Sequence, residues 1–67
     1  MTALTRVLEW LALEGPRSVY LLKHDPAYYT ASLDDHDTHL RAAGFGSTLE
    51  QACEALTGDA AAKGMLP

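Results

Sequence analysis

The sequence predicts an α+β fold: a helix, a three-stranded antiparallel meander and a second helix (αβββα), packed as a small two-layer domain. Three observations predict it. Segments near both ends repeat apolar residues at the i, i+3, i+4 spacing of a helix. Three β-prone runs between them are joined by connections too short for anything but antiparallel neighbours. With 67 residues the chain falls below the ~100–150 typical of a domain, so residues 1–67 form a single unit with one small core.

The first helix is read over 2–14. Leu4, Val7, Leu8 and Leu11 form its stripe, Trp10 and Leu13 widen it, and Thr2 caps its start. Gly15-Pro16 stops it, because Gly accepts the left-handed conformation and Pro cannot continue a helix. Residues 18–23 are the first strand, with Val19 and Leu21 on one face and Tyr20 and Leu22 on the other. Both faces are apolar, so the strand is either covered on both sides or presents an interface. Asp25-Pro26 turns the chain into the second strand, 27–33, where Tyr29, Ala31 and Leu33 alternate with Tyr28, Thr30 and Ser32. A polar turn at 34–37 leads to the third strand, 38–44. There Leu40 and Ala42 oppose His39, Arg41 and Ala43. Gly44-Phe45-Gly46 breaks this strand.

Ser47 and Glu50 then read as a capping box opening a helix over 48–57. Its stripe is Leu49, Ala52, Cys53 and Leu56, Gly58 is its stop, and 59–67 is a frayed extension. The core expected from this pattern joins the two helix stripes to Val19, Leu21 or Leu22, Tyr29, Ala31, Leu33, Leu40 and Phe45.

Composition removes several functions. Nine acidic against five basic residues give a net charge of −4. A direct nucleic-acid or anionic-membrane binder needs a basic face instead. No apolar run approaches the roughly 20 residues of a membrane span, and Glu9 and Glu14 interrupt any signal-peptide pattern. The lone Cys53 precludes an internal disulfide, which fits a reducing cytoplasm. Abundant Leu and Ala with no Ile or Asn point to GC-rich coding and a bacterial or phage source.

Few residues suggest catalysis, and none calls for a cofactor. Cys53 sits on an apolar stripe, where a small buried residue is expected rather than a nucleophile. The glycines before the second helix lack the further Gly and the Lys of a phosphate loop. His36 and His39 beside Asp34 and Asp37 have metal-ligating chemistry but lie on a turn without rigid spacing, so no metal site is assigned. Binding is better served. Tyr20, Tyr28 and Arg41 are residue types that anchor interfaces. Asp34, Asp35 and Asp37 concentrate charge in one turn that suits a basic partner surface.

Residues 46–52, Gly-Ser-Thr-Leu-Glu-Gln-Ala, follow Thr38-His39-Leu40-Arg41-Ala42-Ala43-Gly44. Over about residues 28–57 this resembles HicB-like small domains, in which strands precede a Gly-x-Thr-Leu-Glu-x-Ala helix opening. The N-terminal helix departs from that family, which begins with a strand. In size, acidity and composition the whole chain also resembles small phage and prophage proteins, anti-CRISPR proteins among them. These resemblances imply two roles. One is a non-catalytic phage-encoded inhibitor, acting in the bacterial cytoplasm, that covers a basic nucleic-acid-binding surface of a host defence complex. The other is a self-associating HicB-like antitoxin or regulator, a homodimer through an apolar sheet face or edge. A small metal-binding protein is the remaining alternative, and an enzyme is not expected.

Overall fold

The computed structural model describes residues 2–24 and 27–66. The order is α1 (Ala3–Leu11), β1 (Arg17–His24), β2 (Tyr28–Asp35), β3 (Leu40–Gly46) and α2 (Leu49–Ala62). The αβββα order is therefore as the sequence predicts. The strands form one antiparallel sheet in the order β1-β2-β3, and the Asp25-Pro26 turn lies outside the described residues. Val19 pairs with Leu33 and Leu33 with Ala42; Leu21 pairs with Ala31 and Ala31 with Gly44. Residues directly opposite share a face, so these rows line the side on which the helices pack. The core gathers Leu33 and Ala31 from β2, Val7 and Trp10 from α1, and Ala52, Cys53, Leu56 and Ala60 from α2.

α2 packs on β3 and β2, while α1 packs against α2 and β1. The approach of α2 to β3 is unusually close, and two glycines make room for it. A Cβ built on Gly44 would stand 2.7 Å from Ala52 O, and one on Gly46 would stand 2.6 Å from Gln51 Cβ. The period-two alternation of a strand then turns Phe45, between them, to the opposite face. Phe45 is 67% exposed instead of joining the core. Leu22 shares that outer face, and Leu40 is also exposed.

α1 is shorter than its periodicity suggests, and its stripe is rotated. Thr2 caps it as predicted, with Oγ1 accepting from Thr5 N at 3.1 Å. The helix ends at Leu11, and residues 12–16 turn back toward β1. The turn brings the Arg17 guanidinium to 4.6 Å from the centre of the Trp10 ring, a cation–π contact. Ala3, Val7 and Trp10 are buried between α2 and the sheet, which leaves Leu8 and Leu11 exposed.

At α2 the cap is Thr48, not Ser47: its side chain accepts from Gln51 N at 3.1 Å. Gln51 Oε1 accepts in turn from Ser47 N and Ser47 Oγ, at 3.1 and 2.6 Å. Glu50 is thereby released for a tertiary role, accepting from Ala3 N at 2.7 Å and Leu4 N at 3.2 Å at the start of α1. A carboxylate there satisfies amides that the helix itself leaves free and favours its positive end. Gly58 does not end α2, which continues to Ala62. The ~1 kcal/mol helix cost of Gly is offset by what the added turns reach. Ala60 is buried, and Trp10 Nε1 donates to Met65 O at 3.2 Å.

Candidate functional site

The helices cover one face of the sheet and leave the other open. By register, the open face carries Ser18, Tyr20, Leu22 and His24 from β1, and Tyr28, Thr30, Ser32 and Asp34 from β2. Arg41, Ala43 and Phe45 complete it from β3. Thr30 and Ser32 of the central strand are flanked by exposed apolar side chains. Tyr20 is 50% exposed, Leu22 55% and Tyr28 40%, beside Phe45. The rings of Tyr28 and Phe45 lie 5.8 Å apart and tilted, and the His24 ring, also tilted, lies 5.2 Å from that of Tyr28. His24 Nε2 and Thr30 Oγ1, 3.2 Å apart, add a hydrogen bond across β1 and β2. These strand positions fix an aromatic cluster on rigid backbone.

At the end of the sheet near the 36–39 turn the open face becomes polar. Arg41 Nε donates to Asp34 Oδ1 at 2.6 Å and Arg41 Nη2 to Asp34 Oδ2 at 3.3 Å, a two-point pair. That hydrogen bond, more than any other contact, holds the Asp34 carboxyl below the usual range and pushes the guanidinium up. Asp35 Oδ1 accepts from Asp37 N at 2.9 Å and Thr38 N at 3.3 Å, and the Asp37 amide most strongly lowers its pKa. These bonds close the turn, in which His39 takes a left-handed φ of 61° before β3 begins. Asp34 and Asp35 therefore already have partners, and Asp37 is the exposed carboxylate of the group.

Of the residues singled out by sequence, Tyr20, Tyr28, Arg41 and Asp34 share the open face, with Tyr28 at the opposite end of β2 from the Asp34–Arg41 pair. Asp35 lies on the helix-facing side and Asp37 in the turn. His36 Nε2 meets Ser18 Oγ at 2.6 Å. With His39, Asp34, Asp35 and Arg41 it lines a shallow groove of about 290 Å³. Among the described residues no three His, Cys, Asp or Glu side chains are grouped to hold a metal. Cys53 is buried in the core, and desolvation raises its pKa, so the thiol stays protonated and out of reach of a substrate. No described helix is long and apolar enough to cross a membrane.

Sequence reasoning set Leu22 beside Tyr20 but left open whether Leu21 or Leu22 joins the core, and it missed Phe45 as a member of the face and the Ser18–His36 pair. The signal for Phe45 was present: it shares parity with Arg41 and Ala43. The Ser18–His36 contact needs the strand register, which no local pattern shows.

The carboxylates also set an acid limit. Asp34, Asp35 and Asp59 all titrate below the ordinary 3.8 in the folded chain, Asp59 chiefly because it accepts from Ala43 N and Lys63. Depressed folded values contribute stability above the unfolded pKa, and it is lost as pH falls through the folded ones. Melting temperature is expected to hold between pH 7 and about 5 and to drop below about 4. A melting temperature unchanged down to pH 2.5 would show that these bonds contribute nothing.

Comparison with protein-family models, with curated proteins and with solved structures finds no match to this chain, so the open face is interpreted from its own residues and geometry.

Proposed function

We propose that the chain is a non-catalytic protein-binding module that docks through the open face of its sheet. The observation carrying this reading is the cluster of Tyr20, Leu22, Tyr28 and Phe45, held in solvent on regular backbone and bordered by the Arg41–Asp34 pair. Exposed aromatic and apolar side chains, interleaved with the hydroxyls of Thr30 and Ser32 and bordered by a charged pair, are residue types that anchor protein interfaces. Aromatic side chains on a sheet also suit stacking on single-stranded nucleic acid, but that mode requires a positively charged groove. The net charge of −4 opposes it. Ser18 and His36 are outside any enclosed pocket, and a nucleophile needs exclusion of water and stabilisation of developing charge.

The same negative charge favours a partner with a basic surface. That is the condition for the finer proposal, a phage-encoded inhibitor occluding the nucleic-acid-binding surface of a host defence complex in the cytoplasm. In that setting the aromatic face supplies affinity. Asp37 and the net charge supply steering, because Asp34 and Asp35 are engaged within the chain.

A photo-cross-linking residue at position 45 tests the assignment in GC-rich bacterial cells, with the same residue at Glu54, exposed on α2, as control. A heterologous adduct is expected from position 45 and not from 54. Tyr20→Asp is expected to weaken binding of the captured partner by about 30-fold or more, the scale of a hot-spot loss of about 2 kcal/mol. Equal labelling from both positions, or undiminished binding by Tyr20→Asp, rejects this face.

A further inference from the structure

The two outer edges of the sheet are treated differently. His36 N donates to Pro16 O at 2.9 Å, which sets the phase of the β1–β2 ladder. In an antiparallel ladder the direction of the backbone groups alternates residue by residue. Ser18, Tyr20, Leu22 and His24 therefore turn N–H and C=O toward β2, while Arg17, Val19, Leu21 and Lys23 turn theirs outward. Continuing the alternation across β2 makes Arg41, Ala43 and Phe45 the outward residues of β3.

Side chains of α2 meet the β3 edge. Ala43 N donates to Asp59 Oδ2 at 3.0 Å, and Lys63 Nζ donates to Arg41 O at 2.8 Å while holding Asp59 at 3.0 Å. Among the described residues no such partner reaches the outward groups of Val19, Leu21 or Lys23. β1 runs eight residues without a proline, and Ser18–Leu22 carry no charge. Tyr20, Leu21 and Leu22 expose apolar surface on both sides of this edge. An unprotected strand of this kind is a template for pairing with another strand.

We propose that β1 pairs antiparallel with β1 of a second copy of the chain, joining two sheets into one of six strands. The strand's own sequence favours a copy of itself. A two-fold centred on Leu21 sets Leu21 against Leu21, and Tyr20 against Leu22, of the second copy. Every central pair is then apolar on both faces. The next register, centred on Tyr20, sets Arg17 against Lys23 of the second copy, and like charges directly opposite are destabilising. The size is adequate. β1 is about 26 Å long at 3.3 Å per residue, and the two smaller dimensions of the molecule are 22 and 20 Å. The rectangle these lengths span is at most about 570 Å², which reaches the roughly 500 Å² per partner, about 1,000 Å² in total, at which a specific interface begins. Because Asp59 and Lys63 occupy the far edge, the assembly closes as a dimer and does not extend into a fibre. This pairing does not depend on the docking role of the open face, but it would bring two such faces side by side.

Sedimentation of the full chain at tens of micromolar is expected to give twice 7.2 kDa. Leu21→Lys and Leu21→Glu are each expected to sediment as monomers, since each sets like charges opposite at the two-fold. An equimolar mixture of the two is expected to recover a heterodimer. Hydrogen exchange of the wild-type chain needs no substitution: the Leu21 amide is expected to be protected as strongly as that of Tyr20, whose partner is β2. A monomer at all concentrations up to about 0.5 mM overturns the proposal. So does a dimer that persists in both variants, or a Leu21 amide that exchanges as freely as those of the 36–39 turn. A monomeric chain whose Leu21 amide becomes protected only on adding a foreign protein would assign the edge to that partner instead.

Discussion

Gly44→Ala is expected to cost about 3 kcal/mol or more and to lower the melting temperature by about 15 °C. Overpacking a filled interior costs about 1–3 kcal/mol when side chains can shift. Here the added methyl would meet Ala52 O and Ala55 C of the α2 backbone at 2.7 Å. Main-chain atoms have no rotamer to escape into, so the helix must move as a unit away from β3. For a chain of 67 residues the total stability is only about 3–10 kcal/mol. In domains this small each kcal/mol shifts melting by about 4–8 °C. Gly58 is the internal control. Nothing lies within 4 Å of a Cβ built there, and the residue is exposed in mid-helix. Gly58→Ala should stabilise by about 0.5–1 kcal/mol. Thermal melts of the pair check both signs, and a Gly44→Ala protein melting within about 2 °C of wild type would show that α2 is not seated as described.

Leu33→Ala is expected to lose about 3 kcal/mol, within the 2–5 kcal/mol range for emptying a buried leucine site. Leu33 is fully buried in the central strand, between Val19 and Ala42 on the face that α2 covers. Its neighbours on the sheet are fixed by hydrogen bonding to β1 and β3, and small residues already surround it, so little can collapse into the void. Urea denaturation gives the change directly, and a loss under about 1 kcal/mol would mean that the core relaxes around the gap. Both substitutions act on the helix-covered face. Neither removes a residue of the open face, so loss of stability and loss of docking are separable.

Local periodicity made the fold readable. The alternation through Tyr29, Ala31 and Leu33 identifies the buried face of β2, and Ala52, Cys53 and Leu56 identify that of α2. The misreadings arose where tertiary contact outweighs a local signal. Glu50 has the spacing of a capping box but bonds to α1 instead. Gly58 has the chemistry of a stop, yet Asp59 and Lys63 beyond it engage β3. Leu8 and Leu11 fit the helical stripe, but packing between a helix and a sheet selects the sector holding Trp10. The candidate site was legible in part for the same reason. Tyr20 and Tyr28 follow from alternation alone, while the engagement of Asp34 by Arg41 depends on which strands are neighbours.

The bond from the Trp10 indole to Met65 O spans 55 positions of sequence. It therefore closes a loop containing nearly the whole chain, and such closure costs entropy before any contact repays it. β2, β3 and α2, by contrast, are consecutive and joined by short connections. Non-local contacts of this length slow folding and form after local ones. Trp10 is the single tryptophan of the chain, so its fluorescence reports whether the two ends of the polypeptide have met, whereas circular dichroism follows the helices and strands themselves.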